Sequence, residues 1–296
     1  MAIKDRAEEL RQVAVVEVAT DLYARDRDAF ATVVGSAMAM RLFLFVVPAN
    51  IALIALTRLL NVDSGLGTTL ASSITTGQLP SSFDTVSFWA SLWTFVSSMV
   101  LTLWAGRSLA RILATASTSA WQMPPRHAKL RIKTVLALST LLFLLIAVSD
   151  ALQRMRELDS VALTAASWVG VLAAVSACWM IVALSLPRPT RDPGSVLPGV
   201  ILMGVGFTVL QWFMQFYLPR KIAESTDRLG DLATTVAALS YFFLIGRLIA
   251  SSFVLSAVTF ERWGSVSAQI FGLPVLRRIP KRYPAVQRFF ALPIDT

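Results

Sequence analysis

Charge is what this sequence has least of. Only 15% of its 296 residues are Asp, Glu, Lys or Arg, against about 25% in ordinary soluble domains. With 55% hydrophobic residues and a mean hydropathy of +0.64, the chain reads as a polytopic membrane protein. Its one cysteine, Cys178, lies in an apolar run, and its one histidine, His127, lies in a basic stretch. A disulfide framework and a cysteine/histidine metal cluster are thereby excluded. No glycine-rich phosphate loop followed by lysine occurs, so ATP-driven pumping by this chain alone is not expected. Carboxylates are too scattered to hold the two metal ions of a nuclease, and no elbow serine has a histidine available inside a span. The expectation is a non-enzyme with no catalytic residue, no metal and no cofactor. The opening MAIKDRAEEL has no apolar run behind its charges, so no cleavable signal peptide is expected.

What the sequence does have is long apolar stretches. A hydrocarbon core of about 30 Å takes about 20 helical residues. Six stretches serve, at about 33–58, 87–110, 132–150, 161–186, 196–218 and 232–260, the third being the shortest. They predict an all-α membrane protein with one six-helix transmembrane domain over 33–260. Residues 1–32 precede it, and a basic tail, 261–296, follows. In the first segment Val15, Val18, Ala19 and Leu22 share one helical face, with Glu17, Asp21 and Asp28 opposite. That pattern predicts an amphipathic helix at the membrane interface. Arg11 and Asp26 break it by projecting from the apolar side. The plainer alternative is a tail helix packed on the loops. Phe88, Trp89 and Trp93 open the second span as interfacial anchors. Its helix is expected to run past Arg107 and Arg111 to Trp121, before the Pro124–Pro125 break.

Nineteen of the 27 Lys and Arg residues fall in the two terminal segments and in the connections after spans two and four; six fall in the other connections. The positive-inside rule then puts both termini in the cytoplasm. The net charge of +9 is read as this topology signal, with anionic lipid headgroups as its simplest partner and no nucleic acid required.

Two arginines fall inside spans. Arg41 lies about 12 Å from the Val33 end of the first, and Arg247 about 15 Å from Ala257 in the sixth. Each costs roughly 2.5–3.5 kcal/mol or more in hydrocarbon unless it faces protein or water. No Asp, Glu or Lys lies mid-span, which leaves Asn50, Gln211, Gln215, hydroxyls, carbonyls or water as partners. Two such cations favour an anionic guest. Arg107 and Arg111, four residues apart and on one helix face, would form its cytoplasmic approach. The plain reading is that the arginines snorkel or bond neighbouring carbonyls as packing devices. Pro48 is expected to kink the first span beyond Arg41. Gly35 with Ala39, and Gly246 with Ala250, have the small-xxx-small spacing of close helix approach. Pro198–Gly199, with Gly204 and Gly206 beyond, marks either an ordinary helix start or a deformable helix. Gln211 and Gln215, one turn apart, line a polar path or bond across helices.

Over roughly residues 12–265 the chain resembles the YihY/BrkB family of bacterial inner-membrane proteins. The likeness is carried by GSAMAMRLFLFVVP in the first span and LWAGRSLARILATASTSAW at the exit of the second. Leu197–Gly199 (LPG) and RLGDLATTVAALSYFFLIGRLIASSFVLSAV in the sixth complete it. The resemblance implies a six-helix inner-membrane protein, both termini cytoplasmic, concerned with envelope properties through lipids or envelope precursors. The ribonuclease label once given to some members finds no metal ligands or nucleic-acid groove here. The expected function is transport or flipping of an anionic lipid or envelope precursor. The alternative is a non-transporting scaffold for envelope machinery, with envelope proteins or a second copy as partners.

Overall fold

The computed structural model describes residues 17–59, 88–124, 161–216 and 231–272, together with 132, 136, 140, 141 and 290. Among these the secondary structure is helical, with no strand. A helix described over residues 17–28, α1, precedes α2 (Ala31–Leu59), α3 (Phe88–Ala120), α4 (Val161–Ser185), a 3-10 turn (Pro193–Ser195), α5 (Leu197–Phe216), α6 (Asp231–Trp263) and α7 (Val266–Gly272). Four of them are long and apolar enough to cross a membrane, over Ala31–Leu56, Phe88–Ala120, Thr164–Ser185 and Leu239–Trp263. In α5 the apolar stretch is shorter, Leu197–Phe213. The expected third span, 132–150, lies outside the described residues except for 132, 136, 140 and 141, which are helical. Residues 1–16 and most of the basic tail also lie outside.

The element ends follow local chemistry. Between α1 and α2 the chain turns at Phe30, whose φ of 49° is the left-handed conformation that stops a helix. The last turn of α3 closes in the same way. Gln122 takes φ 50°, and the Met123 N–H donates back to the Thr118 carbonyl at 2.8 Å, which satisfies a carbonyl the helix leaves free. Pro198 is the second residue of α5, where its missing N–H costs nothing. Pro48 lies inside α2, which continues to Leu59; its ring leaves the Leu44 carbonyl without the usual donor.

α2 packs between α3 and α6, while α5 packs between α4 and α6, so α6 joins two helical groups. α2 and α6 are antiparallel: Gly35 lies against Gly246, and Phe43 meets Phe242 edge to face at 5.9 Å. Met38, Phe45, Leu109, Val171 and Val175 are fully buried in the core, and Trp179 packs on Phe253. A water-facing helix shows charge on its outer side. α3 shows Trp89, Trp93, Val100 and Trp104 instead, as an apolar solvent requires.

Candidate functional site

The two span arginines find different solutions. Arg41 on α2 donates from Nη1 to the Ser108 hydroxyl on α3. Arg247 on α6 donates from Nη2 to Asp26 Oδ2 on α1 at 2.6 Å. The sequence had left Arg247 with neutral partners only. Asp26, the residue that spoils the amphipathic pattern of α1, is its counter-ion. α1 turns Val18, Leu22, Arg25 and Asp26 inward, all partly buried, with Ala29 fully so. These positions recur at helical spacing, and the charge among them has a charge to meet.

The arginines are also not level, as the count along the spans had suggested. A Cβ added at Gly35 would lie 3.2 Å from Arg247 Cα, so Arg247 is abreast of Gly35. Arg41 is six residues further along α2, or about 9 Å. The close approach at this point comes from Gly35 and Gly246: a side chain on Gly246 would overlap the Gly35 carbonyl oxygen and press on Ala39 N at 3.2 Å. Backbone contact of this kind needs glycine on both helices.

Arg41 has other basic company. Its bond partner Ser108 adjoins Arg107 in sequence and is three residues from Arg111, both exposed on α3. At 100° per residue, positions 107, 111 and 108 span about 100° of the helix surface. Val100 and Trp104, 60% and 65% exposed, continue that arc toward the Phe88 end. Met40 and Leu44 on α2 are also exposed. Among the described residues, the Arg107 and Arg111 guanidiniums have neither a hydrogen-bond partner nor a carboxylate. The arrangement is a surface seam, apolar along its length and tribasic at one end, which suits a headgroup with acyl chains.

α1 itself is clipped to the end of α6. Arg262 pairs with Asp21 at 2.5 Å and with Glu17 at 3.3 Å, and Arg25 pairs with Glu261. Nearby, Asp192 is 6% exposed and accepts from Gly194 N at 2.9 Å and from the Ser267 hydroxyl at 2.6–2.7 Å. This fastens α7 to the turn between α4 and α5. Burial pushes the Arg188 guanidinium below its ordinary range, an effect that nearby Asp192 opposes; Arg188 donates to the Thr190 carbonyl at 2.7 Å.

Of the remaining expected residues, Gln211 keeps its buried Oε1 without a hydrogen-bond partner, and the Gln215 side chain lies outside the described residues. Gly199 donates its N–H to Ser256 Oγ at 3.1 Å, on a part of α5 pressed against α6. Asp26, Ser108, Asp192 and Ser267 were missed. Asp26 carried a signal in the broken pattern, and Asp192 carried one in its Asp-Pro-Gly setting, a turn and cap signature. Among the described residues no three His, Cys, Asp or Glu side chains gather as metal ligands. No family model, curated protein or solved structure matches the chain.

Proposed function

We propose that this chain is a six-span bacterial inner-membrane protein, both termini in the cytoplasm, that binds an anionic lipid or envelope-precursor headgroup and moves it across the bilayer. The observation that carries the reading is the unpaired basic end of the α2–α3 seam. Among the described residues Arg107 and Arg111 are exposed without an acidic partner, and Arg41 joins them through Ser108. The register supports it. From Phe88 to Arg107 is about 28 Å along α3, and to Arg111 about 35 Å. If the aromatic start of α3 marks one edge of a core about 30 Å thick, these arginines meet the phosphates at the other. Arginine's planar fork suits phosphate oxygens, and the apolar arc beside it suits acyl chains. The resemblance to the YihY/BrkB family points the same way.

One observation favours a scaffold instead: Arg247, the second span arginine, is already neutralised by Asp26 within a tightly packed crossing. Proteoliposomes separate the two readings. Parent protein should accelerate transbilayer movement of labelled phosphatidylglycerol over empty vesicles, and R107Q/R111Q, with an unchanged melting profile, should reduce the excess rate by at least about tenfold. Parent protein that is folded but no faster than empty vesicles would leave the scaffold reading in place.

A further inference from the structure

Arg247 uses half of what it offers. A guanidinium presents parallel N–H groups that match two oxygens of one anion, yet only Nη2 meets Asp26, at 2.6 Å. Its Nη1 is buried and has no acceptor among the described residues, and the same is true of Nη1 of Arg25, the neighbour of Asp26 in α1. The carboxylate therefore fills the position of an anion without satisfying the cation that holds it. The occupant is also removable. α1 is joined to α2 through the left-handed turn at Phe30, and its clip to Arg262 uses Asp21 and Glu17, carboxylates 50–64% exposed. Pairs of this kind are weak and screened by salt. In its clip to Glu261 the Arg25 cation is largely covered and the carboxylate about half-exposed. The receiving side is fixed, because Gly35 and Gly246 hold the backbones of α2 and α6 in contact beside Arg247.

We propose that Arg247 is an anion site occupied here by the chain's own Asp26, and that lifting α1 opens it to a phosphate-class anion, from a lipid headgroup or free in solution. The inference is independent of the α2–α3 seam, whose arginines stay intact in the test. Full-length parent, D26N and D26N/R247Q proteins, each confirmed monodisperse, are titrated with phosphatidylglycerol or phosphatidylcholine and counted by native mass spectrometry. A parallel series uses inorganic phosphate with a thermal-shift readout. D26N should bind one more phosphatidylglycerol than the parent, half-saturating at about tenfold lower concentration for that molecule. Phosphatidylcholine binding should be unchanged, and the gain should vanish in D26N/R247Q. A gain with phosphatidylglycerol alone assigns the site to lipid; a gain with phosphate as well assigns it to the free anion too. Identical parent and D26N curves with both probes would overturn the proposal, and so would a gain that survives loss of Arg247. If D26N/R247Q is not monodisperse, D26N/R247K replaces it. It keeps the charge without the fork and should retain less than half of the gain, and a full gain there overturns the site.

Discussion

The glycine pair at the α2–α6 crossing gives the sharpest quantitative test, because its two members are not equivalent. A methyl group at Gly35 would meet Arg247 Cα at 3.2 Å and Arg247 N at 3.3 Å, so a shift of a few tenths of an ångström accommodates it. At Gly246 the methyl would overlap the Gly35 carbonyl oxygen while also pressing on Met38 Cβ at 3.2 Å. Backbone cannot step aside as a side-chain tip can. A carbon and a carbonyl oxygen rest about 3.3–3.6 Å apart, so the helices must part by roughly 1 Å. A gap of about 0.5–1 Å forfeits a quarter to a half of each lost contact's attraction, and overpacking costs about 1–3 kcal/mol. G246A should therefore destabilise the protein by about 2–3 kcal/mol, and G35A by less than about 1 kcal/mol. Reversible unfolding in mixed micelles, followed by tryptophan fluorescence, reads both. Equal losses, or a larger loss in G35A, would refute the argument that backbone contact at this crossing sets the helix separation.

Other consequences are narrower. S108A removes the hydroxyl that Arg41 bonds, and since Arg41 is only partly buried the same unfolding assay should show a loss of about 0.5–1.5 kcal/mol. D192N keeps the acceptor for Gly194 N but weakens the charge-assisted bond from Ser267. A loss of about 1.5–3 kcal/mol is expected, with S267A costing less; comparable losses would mean that the charge contributes nothing. Raising NaCl from about 0.15 M to 1 M shortens the screening length from about 8 Å to 3 Å. Limited proteolysis within residues 17–28 should therefore quicken with salt while cleavage elsewhere does not.

The long helices were legible because hydropathy is a local property: the four helices long and apolar enough to cross a membrane overlap the first, second, fourth and sixth stretches read from sequence. The spacing of Gly35, Ala39, Gly246 and Ala250 could be read too, but a pattern on one helix does not name the helix it meets. Partners across the fold were not legible. Asp26 and Arg247 are 221 residues apart, and Arg41 and Ser108 are 67 apart. The register of Arg247 against Arg41 was not legible for a related reason. Counting along each apolar stretch does not say how two helices are staggered where they cross, and the crossing sets Arg247 abreast of Gly35.

The two arginines thus divide the cost of burying cations in different ways. Among the described residues Arg41 meets one neutral hydroxyl and no carboxylate, near two more arginines without an acidic partner on an exposed face, so an anion from outside would lower its electrostatic cost. Arg247 is compensated from within, and the compensation couples three elements: the glycine crossing fixes the cation, Asp26 neutralises it, and the remaining clips on Arg262 and Glu261 hold α1 so that Asp26 stays in reach. Removing one partner of such a part-buried pair strands the other, which costs more than the pair contributes when intact. D26N should consequently destabilise the protein more than removal of an exposed clip by E17Q, which leaves Arg262 its bond to Asp21, even though each removes one negative charge from α1. Measured at about 0.15 M salt, E17Q should lie within about 1 kcal/mol of the parent. Equal losses in the two variants would mean that Asp26 acts only as one more surface contact of α1, and that Arg247 finds its compensation elsewhere.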